Sequence, residues 1–544
     1  MATIQSGTIR VIYEDDNFLV VDKPSGIPTH APNDSIQGVA EILGEVRGLR
    51  LGVHQRLDAA TSGVLAFSKS AQGATRLGKA FELRNVKKTY RALVCGIPKT
   101  ASGQWTHTLV HEGGVTKASP QGKMAKLRYR TVATIGPFAL LEIDLMTGIT
   151  HQIRVQCALE GMPILGDALY GGGNCFERLC LHAQRLLITS EPNLPAFYAK
   201  LPMWLDAPKL DKLFSAILSR AMEPWRNAPG GFAQDEVFRV FAPQHSGIPE
   251  IVVERLGRTL LVRHLEPDAD TLWREGDMRI FAKCALRECQ CDDFCYRVHE
   301  SASKRHACRS LARAFDKAFD PFVACEQGIA YQFDLSGNAT GLYLDQRDNR
   351  HWIAQNASGS VINLFAYTCA FSVCAATNPK VTSTTSIDAA PAALKKGRLN
   401  FERNHIDLNG HRFIKEDAIK YLSKCVQNGT KFDTIICDPP SFGRFEKNVF
   451  SLEDDLDDLL SLCCRVAAPG ALMLFSINHR KIRLSKLRSA FKEATRNLEY
   501  APKDVSIFVN DETVSVLGVG TDLKTIQCRF SRATNQGYRI YFFR

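Results

Sequence analysis

The chain lacks the features that place a protein in a membrane or outside the cell. Within its 544 residues, no apolar run reaches the roughly 20 residues that a membrane-spanning helix needs. The opening segment, MATIQSGTIR, does not have the character of a secretory signal. Without such a signal, the 17 cysteines indicate free thiols in a reducing compartment. We therefore expect a cytoplasmic protein with no membrane partner.

The composition also lacks a large excess of either charge. Hydrophobic residues make up 45% and charged residues 23% of the chain, which is ordinary for a globular protein. The length suffices for about three domains. A net charge of +11 and a pI near 8.9 favour an anionic partner. Spread over 544 residues that charge is moderate, so nucleic acid is a lead and not a conclusion.

A cluster of cysteines and histidines in the middle of the chain lacks the spacing of a common zinc site. Its members are Cys284, Cys289, Cys291, Cys295, Cys308, His299 and His306. We predict free thiols and no metal, with zinc left open as the alternative. The basic stretch 304–317 is either a solvated helix face or an RNA contact.

The most informative stretch is HQRLDAATSGVL, residues 54–65. Arg56 is placed to hold Asp58 ionised, and the turn at 61–63 bends the backbone so that the loop faces outward. Asp58 would then be a charged carboxylate that can act as a nucleophile or a base. The alternative is a salt-bridged turn without chemistry.

RLDxxTSG, followed by KKTYRALVCG (87–96), resembles the catalytic loop of RluA-type pseudouridine synthases. LMTGITHQIRVQCALEGMPILGDALYGG (145–172) and CLHAQRLLI (180–188) resemble later motifs of that family. The resemblance implies a mixed α+β catalytic domain over 1–208 that needs no cofactor. It also implies that Asp58 is catalytic and that Arg56 contacts the substrate. Tyr90 would pack on the target uracil, and Arg154 would pair with Asp58.

Three residues depart from the family pattern. Gln55 stands where His usually precedes RLD, Ile149 where the family has Arg, and Gln156 where it has His. The replacement at 149 removes a phosphate contact that the family pattern implies and changes the expected choice of RNA.

The next part of the chain mixes Pro, Gly and polar residues, and we expect a linker over 209–235. A small α+β domain on the substrate side is expected over 236–325. From there the order strand, helix, strand, helix, strand predicts a parallel, Rossmann-like sheet, so that the whole chain is an α/β multidomain protein.

QGIAYQFDLSGNATGLYLDQRDNRHWI (327–353) resembles the segment before the core of RlmI/RlmK-type ribosomal RNA methyltransferases. NLFAYTCAFSV and DPPSF, in that order, resemble the cofactor and substrate loops of class I RNA methyltransferases. The resemblance implies a class I domain over 326–544 that uses S-adenosyl-L-methionine. The cofactor residues that it implies are Asn363, Phe365, Tyr367, Thr368, Asp388, Asp417 and Asp438. Asp438 would also meet the substrate edge, beside Pro439, Pro440, Phe442 and Asn478.

Two of these residues leave alternatives open. Asp388 follows the first loop at the distance of a ribose ligand, but an Asp after a strand also caps the next helix. Cys369 stands where the family has Gly, and a side chain there would crowd the cofactor.

The atom that is methylated is predicted from a missing nucleophile. Methylation at carbon 5 of cytosine needs a cysteine, and the strand 471–484 has none. FSINHR is moreover similar to FSNNxR of the guanine-N7 enzymes, so guanosine N7 is favoured, with another ring nitrogen open.

We therefore predict a bifunctional enzyme that forms pseudouridine and methylates a guanosine in large-subunit (23S) ribosomal RNA or its precursor. No stable protein partner is implied. The alternative is a pseudouridine synthase whose degenerate methyltransferase-like domain serves as an RNA-binding or ribosome-assembly module.

Overall fold

The described part of the chain begins with two short strands, of which the second is almost fully buried. The structure, a computed structural model, describes residues 9–33, 35–206, 208–248, 250–265, 273–299, 315–336, 340–445, 448–479, 481–496, 498, 500–509 and 523–532. Most of the predicted basic stretch 304–317, with Cys308 and His306, lies outside these residues. Among the described helices, none is long and apolar enough to cross a membrane.

The first part of the chain folds around one large sheet. Its strands are β1 (Arg10–Glu14), β2 (Phe18–Lys23), β3 (Gly52–Val53), β4 (Ser62–Ser68), β5 (Val86–Cys95), β6 (Ser102–Glu112), β7 (Val115–Ala118), β8 (Lys123–Ile135), β9 (Phe138–Leu145), β10 (Leu181–Ile188) and β11 (Phe197–Tyr198). Its helices are α1 (Val39–Arg47), α2 (Ala71–Glu82), α3 (Gln152–Leu159) and α4 (Met203–Asp206). The predicted helix 71–82 and the predicted strands 87–96 and 180–188 are confirmed.

The register of three central strands brings the predicted catalytic residues together. The sheet runs β1-β2-β4-β10-β5-β9-β8-β6-β7, with β3 on β4 and β11 on β10. Gly63 of β4 lies opposite Ala183 of β10, which lies opposite Tyr90 of β5. Gly63 has φ 117°, and a Cβ there would lie 2.1 Å from the Ala183 carbonyl oxygen, so glycine is required. The loop that carries Asp58 therefore ends beside Tyr90.

The range expected as a linker contains a long packed helix. Helix α5 (Leu210–Arg226) buries seven side chains at helical spacing, so most of the range 209–235 is not an open connection. A small sheet follows, with β12 (Val237–Phe241), β13 (Ile251–Leu256), β14 (Thr259–Leu265) and β15 (Asp293–His299) in that order. The helices α6 (Pro243–Ser246) and α7 (Glu275–Glu288) belong to the same part, and α7 packs on α5.

The small sheet buries both of its faces. On β14, Leu260 and Val262 belong to the apolar core that continues into the first part of the chain. Leu261, between them, belongs to a second core that includes residues of the last part, such as Leu342 and Cys369. Since side chains alternate along a strand, one sheet face packs on each half of the chain.

The last part contains the predicted parallel sheet. Its strands are β16 (Phe322–Glu326), β17 (Ile329–Phe333), β18 (Gly359–Leu364), β19 (Val381–Asp388), β20 (His411–Lys415), β21 (Phe432–Cys437), β22 (Phe442–Phe445), β23 (Asn448–Ser451), β24 (Ala467–Asn478), β25 (Tyr500–Val509) and β26 (Leu523–Arg532). Its helices are α8 (Arg347–Asn356), α9 (Ala370–Ala376), α10 (Pro391–Arg403), α11 (Ala418–Gln427), α12 (Leu452–Arg465) and α13 (Leu484–Ala494).

The order of this sheet fixes the place of a ligand crevice. The strands run β20-β19-β18-β21-β24-β26-β25, and the pairs from β20 to β24 are parallel. Chain order reverses between β18 and β21, and ligands of such sheets bind outside the carboxyl ends of the strands at that point. The loop 365–369 follows β18 and Asp438 follows β21, so both lie at this edge.

Candidate active sites

Arg154 is the centre of the first site. Its Nε and Nη2 donate to the two oxygens of Asp167 at 2.7 and 2.8 Å, and its Nη1 donates to Asp58 Oδ2 at 3.2 Å. The Asp167 side chain is fully buried, so the guanidinium is held by a fixed bidentate pair. Although burial opposes the charge, the two carboxylates raise the pKa of Arg154 above its ordinary value. A permanent positive charge therefore stands beside Asp58.

The expectation that Arg56 holds Asp58 is wrong. Arg56 is exposed, and among the described residues no ion pair joins it to Asp58. The reason is the anchoring of Leu57, whose N–H and carbonyl both bond to the buried Thr29 hydroxyl at 2.9 Å. With Leu57 held inward, Arg56 faces the cleft instead, where it is still placed to meet a substrate.

Tyr90 and Asp58 line the same cleft. Tyr90 is 6% exposed, and burial followed by the charge of Asp58 raises the pKa of its phenol. The ring therefore stays neutral and offers an apolar wall beside the carboxylate.

The cleft is large and lined by positive charge. Its volume is about 2050 Å³. Eight of its lining residues are arginine or lysine: Arg50, Arg56, Arg84, Lys87, Lys88, Arg128, Arg154 and Arg185. Four are acidic: Glu41, Glu45, Asp58 and Asp144. This excess of cations fits a phosphate backbone, with a single carboxylate–arginine pair at the reacting position.

Lys23 is a site residue that the sequence analysis missed. Its buried ammonium donates to three backbone carbonyls, those of Pro24 at 2.9 Å, Ile27 at 2.5 Å and Ala59 at 2.9 Å. Ala59 follows Asp58 directly, so Lys23 clamps the catalytic loop to the end of β2. Burial lowers the pKa of Lys23 to about 7. The sequence signal that could have identified Lys23 is a lysine at the end of the otherwise apolar strand FLVVDK.

Two of the residues that depart from the family pattern, Ile149 and Gln156, have packing or hydrogen-bond partners in the protein. Ile149 lines the cleft and is half-buried against Leu109 and Val155, so an apolar side chain stands where the family pattern has a cation. Gln156 is fully buried, and its amide lies 3.1 Å from His107 Nδ1 and accepts from Gln152 at 2.9 Å.

The second site begins with a strained loop. Phe365, Tyr367 and Cys369 all have positive φ, of 55°, 47° and 57°. Such backbone costs about 1–3 kcal/mol per residue and is concentrated at functional sites. Asp388 braces the loop, since its Oδ2 accepts from the Tyr367 N–H at 2.7 Å and its Oδ1 from the Ala390 N–H at 2.8 Å. That Asp388 also binds the ribose of the cofactor stays a prediction.

The other predicted cofactor residues make hydrogen bonds within the protein, and those of Tyr367 and Thr368 hold the loop 365–369 in place. The Thr368 hydroxyl donates to the Gly341 carbonyl at 2.6 Å, and the Tyr367 hydroxyl accepts from the Gly341 N–H at 3.1 Å. Asn363 is buried and donates to Ser372 at 2.8 Å. Asp417 caps α11 through the Lys420 N–H at 2.9 Å. The two hydrogen bonds to Gly341 therefore hold the loop 365–369 against that residue.

Cys369 does not project into open space. It is fully buried, and its thiol lies where a Cβ added at Gly397 of α10 would come within 2.3 Å. The missing side chain at 397 thus accommodates the cysteine. Burial raises the pKa of Cys369 to about 12, so the thiol is neutral.

Asp438 lies in a polar network at the end of β21. Its Oδ1 accepts from Gln346 at 2.8 Å, and Gln346 accepts from Asn349 at 2.7 Å. Burial, with the charge of Asp345, raises the pKa of Asp438 to about 8. Asn478 donates to Asp345 at 3.2 Å, which brings it to the same network.

The rest of the predicted substrate loop differs in exposure. Phe442 is 63% exposed, Pro440 is exposed and Pro439 is buried. Sequence reasoning recognised LDQRDNR as a motif but assigned no role to Asp345 or Gln346, which the fold brings against Asp438 from about 90 residues away along the chain. The donor set at this edge, a braced loop with acidic residues after neighbouring strands, fits S-adenosylmethionine.

Known proteins match both halves of the chain. Residues 17–159 match the family described as RNA pseudouridylate synthase. An uncharacterized RNA pseudouridine synthase of Bacillus subtilis, YhcT, is 33% identical over 213 residues, which are 35% of this chain and 70% of that protein. The chain belongs to the pseudouridine synthase family. The predicted catalytic family of the first half is thereby confirmed.

Residues 296–501 match the S-adenosylmethionine-dependent methyltransferase family. Ribosomal RNA large subunit methyltransferase K of Neisseria meningitidis is 34% identical over 194 residues, 35% of this chain and 52% of that protein. Methyltransferase I of Salmonella enteritidis is 27% identical over 289 residues, 52% of this chain and 70% of that protein. The chain spans only about half the length of the first of these. The two predicted enzyme families, the fold class and the cofactor are confirmed, and the residue roles stay predictions.

Replacing Lys23 tests the clamp on the catalytic loop. Lys23→Met removes a donor from three backbone carbonyls, of which that of Ile27 is buried, while the Ala59 carbonyl still accepts from the Gly26 N–H at 2.8 Å, so we expect a loss of about 1–3 kcal/mol in the free energy of unfolding. Lys79→Met, at an exposed helix position, is the matched control and is expected to change it by less than about 0.5 kcal/mol. Denaturant unfolding measures both. Equal stabilities for the two variants would contradict the clamp.

A double-mutant cycle tests the packing of Cys369 on Gly397. Gly397→Ala alone drives a methyl group into the thiol, and we expect a loss of about 1–3 kcal/mol in the free energy of unfolding. On a Cys369→Gly background the two nearest atoms are gone and the closest remaining one is the Thr368 carbonyl carbon at 3.3 Å, so most of that loss disappears. If the alanine costs the same in both backgrounds, the two side chains are not in contact.

Proposed function

We propose that the chain is a bifunctional RNA-modifying enzyme. Its first site isomerises uridine to pseudouridine, and its second methylates a guanosine at N7 with S-adenosylmethionine. The substrate is large-subunit (23S) ribosomal RNA or its precursor, met in the cytoplasm. The observation that carries the proposal is the Asp58–Arg154 pair at 3.2 Å in a basic cleft. The units proposed are 1–208, the connection 209–235, 236–325 and 326–544.

Isomerisation breaks the N-glycosidic bond, turns the uracil and rejoins it through carbon 5. The base must first leave the RNA stack to reach a carboxylate inside the cleft. Asp58 then attacks the ribose or removes a ribose proton, and both routes use the same oxygen atoms. Tyr90 stacks on the freed uracil, which keeps it in place while it turns. Arg154 balances the charge of Asp58 in either route.

The basic side chains of the cleft bind the RNA. Phosphates of the strand that carries the target meet side chains such as Arg84, Lys87 and Arg128, which lie around Asp58. Such contacts fix the register of the RNA but read little sequence. Arg56 belongs to this set as a substrate contact.

The second site is suited to methylate a ring nitrogen with a free lone pair, which needs no general base. S-adenosylmethionine, when bound, supplies an electrophilic methyl group. Guanine presents two acceptors, N7 and O6, on the edge that would face this cleft. With a pKa of about 8, Asp438 is largely protonated at neutral pH and can donate from Oδ2 to O6, because Gln346 occupies Oδ1. Phe442 stacks on the base, and Asn478 supplies a further donor.

The alternative of a degenerate methyltransferase domain depended on crowding by Cys369. The cysteine packs against Gly397 of α10, so the feature that favoured this alternative has a local accommodation. We therefore assign the cofactor to Asp388, Asp417 and the loop 363–369, with Asp438 at the substrate edge.

Removing the carboxylate tests the first activity. Asp58→Ala is expected to abolish pseudouridine formation and to leave methylation unchanged, because no other carboxylate of the described residues both pairs with Arg154 and lines the cleft. Asp16→Ala, an exposed position of the same half, is the control. Tritium release from RNA with uridine labelled at carbon 5 measures the reaction. Isomerisation by a folded Asp58→Ala protein would remove Asp58 from its role.

The methylation site is tested by two replacements of Asp438. Asp438→Ala removes the donor and is expected to stop methylation while sparing pseudouridine. Wild-type methylation should fall as pH rises through about 8, where the carboxyl loses its proton. Asp438→Asn keeps a donor at every pH, so it should methylate without that fall. Formation of 5-methylcytidine, or no binding of the cofactor in calorimetry, would contradict the assignment.

A further inference from the structure

His151 stands beside Asp58 in a conformation that histidine rarely adopts. It is the residue before α3 and has φ 56°, in the left-handed region. Side-chain contacts compensate for such backbone when the residue is needed there. Its Nε2 lies 3.9 Å from Asp58 Oδ2, the same oxygen that Arg154 holds at 3.2 Å.

A hydrogen-bond chain sets the tautomer of His151. The Thr116 N–H donates to the Tyr170 hydroxyl oxygen at 2.8 Å, and that oxygen lies 2.9 Å from His151 Nδ1. Among the described residues, His151 Nδ1 is the acceptor within reach of the Tyr170 hydroxyl proton. Tyr170 therefore donates to Nδ1, and the imidazole carries its own proton on Nε2, toward Asp58.

A second chain holds Thr116 itself. Its hydroxyl donates to the Thr150 carbonyl at 2.7 Å, so His111 Nδ1 must donate to it, over 2.9 Å. The His111 ring meets the His151 ring edge to face, with centroids 5.8 Å apart. Backbone and side chains of the hairpin β6–β7 thus fix the imidazole from behind.

The charged and titratable groups around His151 come from several elements. They are Asp58, Arg154, Asp167, His111 and Tyr170. Burial lowers the pKa of His151, Asp58 opposes this, and Arg154 and His111 add to the lowering. The imidazole is therefore neutral at neutral pH, and a proton gained at Nδ1 would break the bond from Tyr170.

We propose that neutral His151, fixed by Tyr170, is a positioning residue for Asp58. Together with Arg154 it faces Oδ2, which leaves Oδ1 without a protein partner among the described residues and free for the target nucleotide. This inference depends on the proposed pseudouridine synthase function of the same site. It assigns to His151 and Tyr170 a role that is separate from binding the uracil.

The role predicts a change in the pH profile that a purely structural residue would not produce. In the wild type, kcat for tritium release falls as pH drops and His151 gains a proton. Tyr170→Phe removes a donor to the neutral ring, so the pKa of His151 rises and the fall moves to higher pH. We expect kcat at neutral pH to fall roughly tenfold, the scale of one lost hydrogen bond in a catalytic site.

Replacements of His151 complete the test. His151→Gln keeps an amide donor but cannot titrate, so most of kcat remains and the fall assigned to His151 disappears. His151→Leu has no donor and should lose roughly tenfold in kcat, with KM for the RNA unchanged. His107→Gln, on the same strand as His111 but outside the cleft, is the control and should match the wild type. Thermal unfolding confirms that each variant is folded.

The probe is an in vitro transcript of large-subunit ribosomal RNA labelled at carbon 5 of uridine. An unchanged pH profile in Tyr170→Phe, or wild-type kcat in a folded His151→Leu protein, would overturn the inference while Asp58 kept its role. Activity in Asp58→Ala would instead overturn the proposed function itself. The two failures are therefore distinguishable.

Discussion

The rest of the structure depends on a four-stranded sheet that has no solvent face. Along β14, Leu260 and Val262 pack toward the pseudouridine synthase half, and Leu261 packs toward the methyltransferase half. Polar contacts reinforce the second interface, since Arg347 donates to the Val237 carbonyl at 2.6 Å and pairs with Glu236 at 2.8 Å. A sheet with two buried faces cannot lose either partner without exposing apolar surface to water. A cut near residue 235 would therefore expose one apolar face of this sheet to water.

Both candidate sites follow the same physical pattern, in which a carboxylate is held by residues remote in sequence. Asp58 is held by Arg154, which a buried Asp167 keeps in place. Asp438 is held by Gln346, within a buried amide network. In each case the supporting groups are buried and hydrogen-bonded, so the protein itself fixes the position of the carboxylate. The strained residues near both sites fit this arrangement.

The sequence allowed prediction of residues that lie within short motifs, but not of contacts between residues far apart in the chain. Asp58, Tyr90 and Arg154 were predicted as site residues because each lies within a recognisable motif. Sequence neighbourhood pointed to Arg56 as the partner of Asp58, and only the family resemblance pointed to Arg154, the partner 96 residues away. The compensation between Cys369 and Gly397 likewise requires knowledge of how α10 packs. The helix in the expected linker did carry a signal, seven buried positions at helical spacing, which Pro224 within it obscured.

The central claim is that one chain performs two reactions on one RNA. The most direct measurement is nucleoside analysis of a large-subunit ribosomal RNA transcript after incubation with the full chain, with and without S-adenosylmethionine. The account predicts pseudouridine in both samples and 7-methylguanosine only in the sample with the cofactor. Pseudouridine alone in both samples would contradict it, and the last domain would then serve as a module for binding RNA.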